Sequence, residues 1–291
     1  MVAELTANPE SLYLLEQRFR YTYENLVLRL RHRLMVVPPA VHGGQYRTGH
    51  GLNVSGALVS VSETSDSFGN HVIELGAPAV TEWIEFHAWA LVGHRGPGGV
   101  TVLTPGFVDD GRLLAPTPLT EADDEMADAA GHLAGLSSGP LDLAERICAW
   151  TRQAMTYKYG TTGVHTTAAT ALAGREGVCQ DFAHLMLAVS RAAGLPARYV
   201  SGHLIGEGGS HAWVEVIVND RPGENAGPTV AVAFDPTHDR RAHEGYFTVA
   251  VGRDYADVAP TSGTFAGTGP GVLSSSKQLS LADQGQQPAA S

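Results

Sequence analysis

Lysine is nearly missing from this chain of 291 residues: Lys158 and Lys277 are the only two among nineteen basic side chains. No GxxxxGK[ST] phosphate loop exists, and neither lysine sits in a motif suited to a Schiff base, so nucleotide hydrolysis and imine chemistry lose their support. Cysteine is as scarce. Cys148 and Cys179 are too few for a disulfide framework, which points to free thiols and a reducing compartment. Long apolar runs are missing too, and the first twenty residues, MVAELTANPESLYLLEQRFR, lack a basic segment followed by an apolar one. The expectation is a cytoplasmic protein with no membrane partner. Positive charge is short overall: a formal net charge of −11 repels phosphate backbones and anionic lipids, and the only local basic cluster is RLRHR at 29–33. No nucleic-acid partner is expected.

What is present divides the chain. Residues 14–96 alternate short β-rich runs with turn residues, as in GALVSVSETSDSFGNHVIEL, and read as a β-sandwich-like domain with a hairpin at SETSDSFGN. Residues 97–118 are crowded with Gly and Pro and read as a linker. From Leu119 the pattern turns helical, with Thr120 ahead of the acidic turn EADDE and a second helix after Pro140. After Gly194 it turns to strands: PARYVSGHLI, HAWVEVIV, TVAVAFD and EGYFTVAV. Helices first and strands afterwards give an α+β arrangement over 119–260, a central helix packed on an antiparallel sheet. Residues 262–291 are too poor in large apolar side chains to build a core and predict a disordered tail.

The informative stretch is GREGVCQDFAHLMLAVSRAAGLPARYVSG, residues 174–202. From Gln180 to Ala193 nearly every position is apolar, so the helix is expected to be buried almost all round, with Gly194 and Pro196 ending it. Cys179 falls at its N-terminus, where unpaired N–H groups and the positive dipole end favour a thiolate. Cys148, on a mid-helix apolar stripe, reads instead as a small buried hydrophobe. A thiolate nucleophile wants an imidazole, and the imidazole an acceptor that fixes its orientation. His211 opens one strand and Asp235 ends the next; antiparallel pairing of the two would make them neighbours. Asp181 reads as a cap of the helix. The histidines His184, His203, His211, His238 and His243, with Cys179, show no CxxC or HExxH spacing, so no metal centre is expected.

GVCQDFAHL around Cys179, SHAWVEV around His211 and FDPTHD around Asp235 resemble the transglutaminase-like superfamily, in its order Cys, His, Asp. YKYGTTGVHTTAATALAGREG looks like the bacterial branch of transglutaminase-like cysteine peptidases, and Tyr21-Thr22-Tyr23, Gln45 and DSFGN at 66–70 look like its N-terminal β domain. The resemblance implies a papain- or transglutaminase-like core and thiol chemistry: Cys179 attacks an amide of a protein or peptide substrate, His211 protonates the leaving amine, and a thioester forms. It implies no cofactor. The backbone N–H of Cys179 supplies one oxyanion donor, and the side chain of Tyr159 or Tyr157 is a candidate second. Gln180, His203 and Trp213 are candidates for the cleft wall, Trp213 equally a core aromatic. Water resolving the thioester makes a peptidase or amidase, an amine makes a transglutaminase-type acyltransferase, and a non-catalytic binding module retaining the fold is the reading from another class.

Overall fold

The computed structural model describes residues 11–96, 98–103, 111–219 and 228–282. The chain opens with β1 (Tyr13–Thr22), β2 (Val27–Leu34), β3 (Val41–His42), β4 (Gln45–Ser55), β5 (Ser60–Ser65), β6 (His71–Val80) and β7 (Trp83–His94). Then come β8 (Val100–Val102), α1 (Asp124–Leu136), α2 (Pro140–Ala154), β9 (Thr156–Tyr157), α3 (Ala168–Gly174), β10 (Glu176–Gly177) and α4 (Cys179–Ala192). The strands β11 (Ala197–Leu204), β12 (His211–Asn219), β13 (Thr229–Asp235), β14 (Arg240–Arg241) and β15 (Tyr246–Gly252) follow. A short α5 (Tyr255–Val258), β16 (Thr261–Ala266) and β17 (Val272–Leu281) complete the described elements. No described helix is long and apolar enough to cross a membrane.

Two sheets form the N-terminal sandwich, one in the order β17-β1-β7-β4-β3 and one in the order β16-β2-β6-β5. Alternation places Ile84, Phe86 and Ala88 of β7 and Phe19 of β1 against Leu30, Ile73 and Leu75 of the facing sheet. The hairpin read at SETSDSFGN is β5 paired antiparallel with β6. In the second unit α1, α2 and α3 pack around α4, whose remaining side lies on β11 and β12. Neighbours on every side explain why α4 is apolar nearly all round, with Phe182, Leu185, Met186 and Val189 meeting Val214, Val216 and Val218. The architecture is α+β: a β region, then a central helix on an antiparallel sheet ordered β14-β13-β12-β11-β15.

Three expectations need correction. Residues 262–282 are not a disordered tail: β16 pairs with β2, and β17 pairs with β1 along its whole length. Backbone ladder bonds on an edge need no large side chains, and Phe265 and Leu279 supply the little apolar packing required. The linker contains β8, which pairs with β13 at the edge of the core sheet; residues 97 and 104–110 of it, like 283–291 of the tail, lie outside the described residues. The first helix begins after Asp123, whose carboxylate accepts from the Met126 N–H at 3.0 Å, and not after Thr120. Thr120 is buried and accepts from the Arg191 guanidinium at 2.6 Å.

The two units are joined through the open edge of β15. The side-chain amide of Gln45 donates to the Thr248 carbonyl (2.8 Å) and accepts from the Thr248 N–H (2.7 Å). Asn70 does the same for Val251, with both bonds at 2.7 Å, and His94 bonds the Tyr246 carbonyl at 3.1 Å. Side chains thus replace the missing neighbour strand. A buried ion pair adds to the junction: Glu215 lies 2.6 Å from both His42 and Arg198. Burial pushes the Glu215 carboxyl up, but the charges of Arg198 and His42 outweigh it and hold it at about 2. Asn70→Ala leaves a buried N–H and a buried C=O of Val251 without partners, a loss of about 2–6 kcal/mol at 1–3 kcal/mol per group. Urea denaturation of the full chain measures it.

Candidate active site

The site begins at the first turn of α4. Asp181, at its third residue, accepts from the Val178 N–H at 2.8 Å and from the Thr162 hydroxyl at 2.6 Å, fixing how the chain enters the helix. Glycine is required just before: a Cβ on Gly177 would stand 2.7 Å from Asp181 Cβ and 2.8 Å from its Oδ2. These constraints leave Cys179 as the first helical residue, partly exposed, with its backbone N–H among those that no intrahelical carbonyl can satisfy. Cys148 is buried on α2, and burial pushes its thiol far above the ordinary range.

His211, the first residue of β12, lies near enough to Cys179 to interact with its sulfur and is hydrogen-bonded to Asp235, its Nε2 standing 2.8 Å from Asp235 Oδ2. Nε2 therefore donates to the carboxylate, and Nδ1 is left to face the thiol. Asp235 Oδ2 accepts twice more, from His238 Nδ1 at 2.6 Å and the Tyr246 hydroxyl at 2.7 Å, while Oδ1 accepts from the Thr237 N–H at 2.9 Å. Burial raises the Asp235 carboxyl, yet the bonds from His211 and His238 outweigh it and hold the group far below the usual carboxylate range. Burial works against charge on His211 too, but Asp235 and Cys179 push its imidazole up to about 10. Burial and the Asp235 charge raise the Tyr246 phenol, which stays a donor. The ring of Trp213 stacks on His211 at 6.1 Å between centroids, and Gly202 makes room for it: a Cβ there would meet Trp213 Cη2 at 2.4 Å.

The structure thus brings Cys179, His211 and Asp235 together. Tyr157, half-exposed on β9, lies within electrostatic reach of Cys179, which with burial raises its phenol. Tyr159 is 87% exposed. Gln180 is tethered by a long bond of 3.4 Å to the Gly163 carbonyl. His203 does not line an open cleft: it is buried, its Nδ1 bonds the Gly209 carbonyl at 3.0 Å, and burial lowers it to about 3, so the neutral ring anchors the glycine-rich loop. Trp213 is core rather than cleft wall, 1% exposed beneath the base.

Four neighbours escaped the sequence reading. His238 and Tyr246 complete the Asp235 cluster, and FDPTHD placed His238 close enough in sequence to be suspected. Glu207, in the loop ahead of the base, puts Oε2 3.2 Å from His211 Nδ1 and Oε1 3.4 Å from His238 Nε2. It therefore competes with the thiol for the same imidazole nitrogen. Lys277 was assigned to a tail, but β17 carries its ammonium to 3.1 Å from the Ser210 hydroxyl, next to the base.

Residues 128–224 match the family described as the transglutaminase-like superfamily, and residues 13–92 match the bacterial transglutaminase-like N-terminal region. An uncharacterized protein of Mycobacterium leprae is 39% identical over 167 residues, 54% of this chain and 56% of that protein, so the match spans little more than half of that relative. Uncharacterized proteins of Mycobacterium bovis and Mycobacterium tuberculosis are 33% identical over 257 residues, 80% of this chain and 75% of theirs. Among solved structures, the “Putative Cysteine Protease from Cytophaga hutchinsonii” superposes with a TM-score of 0.73 at 22% identity, over 96% of this chain and 93% of that one. At that identity the likeness speaks to the fold. The chain belongs to the transglutaminase-like superfamily, with the bacterial N-terminal region ahead of its core.

Proposed function

We propose that the protein cleaves amide or peptide bonds through an acyl-thioester on Cys179. The observation that carries this reading is the single imidazole of His211, hydrogen-bonded to Asp235 and raised by its interactions with Asp235 and Cys179. In the proposed reaction the Cys179 thiolate, paired with the His211 imidazolium, attacks the carbonyl, with the Cys179 N–H facing the developing oxyanion. Imidazolium then gives the proton to the leaving amine, and water, activated by the same ring, releases the acid. Asp235 keeps the ring in the tautomer that points Nδ1 at the sulfur. The glycine-rich segment 204–213 ahead of the base leaves the thioester open to water, which favours hydrolysis over transfer. Two free thiols, Cys148 and Cys179, fit a reducing compartment.

The test is a screen of peptide and amide substrates with wild type and Cys179→Ala, in which only wild type turns over. Iodoacetamide should alkylate Cys179 and spare the buried Cys148; equal labelling in the folded protein, read by mass spectrometry, removes the basis for the mechanism. With millimolar primary amine added, mass spectrometry should find mainly the acid product. Mainly amide product would make the enzyme an acyltransferase, because only a positioned amine outcompetes bulk water.

Asp235→Asn should lower kcat about 10⁴-fold if the tautomer effect of serine triads transfers, with the fold retained by circular dichroism. The pH dependence of stability has a definite sign. His211 is raised from 6.5 to about 10 on folding, so its contribution is complete below pH 6.5 and fades as the pH rises to about 10. The stability gap between wild type and His211→Ala, measured by denaturant titration, should narrow across that window.

A further inference from the structure

We propose that His50, Glu63 and His71 bind one divalent transition-metal ion of the kind that favours imidazole and carboxylate together, such as Zn²⁺. The three come from different strands of the N-terminal sandwich: His50 from β4 in one sheet, Glu63 and His71 from β5 and β6 in the other. Glu63 Oε2 lies 3.2 Å from His50 Nε2 and 3.0 Å from His71 Nε2, and all three ligand atoms fall within 4.8 Å of one another. Tetrahedral zinc with bonds of about 2.0–2.1 Å separates neighbouring ligand atoms by roughly 3.3–3.4 Å. Two of the three separations are already close to that, and the rings stand at 76° to each other, so the nitrogens approach from different directions.

A hydrogen-bonded trio of the same residues would look different at His71. Its Nε2 is buried and has no hydrogen-bond partner among the described residues, although it sits 3.0 Å from a carboxylate oxygen. A lone pair aimed into the cluster satisfies that atom through a metal bond, whereas an N–H there would be misaligned. Glu63 is 44% and His50 26% exposed, which leaves a fourth position open to water and a route for the ion. Arg47 is the cation facing the cluster, and it weakens the site without occupying it, since its guanidinium is held by the Pro38 carbonyl at 2.6 Å.

The other such convergence among the described residues, His211, Asp235 and His238, has no buried ring nitrogen left without a hydrogen bond. There His211 and His238 are bonded to Asp235 Oδ2 as donors, and Tyr246 takes a further lone pair. In the His50 cluster an ion would tie β4 of one sheet to the β5–β6 hairpin of the other.

The experiment uses the full chain after dialysis against EDTA and removal of the chelator. Titration calorimetry with Zn²⁺ should give one ion per chain and a raised Tm. Co²⁺ in the same protein should give a visible d–d band without the intense near-ultraviolet band of a thiolate ligand. His71→Ala and Glu63→Gln should each lose the zinc-dependent Tm shift, while Cys179→Ala keeps it. Glu63→Gln is nearly isosteric on an exposed strand, so it separates lost ligation from lost folding. No binding by wild type, or binding that survives Glu63→Gln and disappears in Cys179→Ala, overturns the proposal.

Discussion

A buried carboxylate organises this protein. Asp235 carries its charge inside the core sheet, where an unpaired ion would be costly, and it is kept there by donors from four residues. Each donor is fixed in turn. His211 opens β12, Thr237 and His238 belong to the turn that proline forces after β13, and Tyr246 comes from β15 on the far side of the sheet. Satisfying one charge therefore sets the positions of both sheet edges and orients the base toward α4.

The N-terminal sandwich takes part in this chain of constraint. Gln45, Asn70 and His94 cover the backbone of β15, and β15 carries Tyr246. Tyr246 also accepts from the Arg240 guanidinium at 2.9 Å, which places the hydroxyl between a cation and the Asp235 carboxylate. The β domain thus acts on the site at one remove, by holding the strand that supplies a donor. An edge strand left bare would expose ladder groups to solvent and let that donor move.

Much of the site was legible because its chemistry is local in the sequence. Helix-end signals around Cys179 and the strand starts and ends at His211 and Asp235 are written within a few residues of the groups they position. Glu207 was not legible: a lone acid among glycines carries no sign of the imidazole it will meet. Tyr157 and Tyr159 share a motif, but the first, on strand β9, lies half-exposed against Phe182, while the second stands in solvent. The misread tail shows the limit of composition. VLSSSKQLSL has too little apolar surface to fold alone, yet an existing edge at β1 asks only for backbone and two or three anchoring side chains.

Strands β16 and β17 give the molecule an order of assembly. A chain emerges from the ribosome N-terminus first, at about 5–20 residues per second, so β1 and β2 appear long before the strands that flank them. The whole core, from α1 to β15, is made in between. Nascent protein therefore passes a period in which two long edges are bare, open to pairing with neighbouring chains. The core must reach its own fold during that interval, beside a sandwich not yet closed. Only when β17 zips onto β1 does Lys277 arrive beside Ser210, so the last charge to join the cleft is delivered by the closing of the other domain.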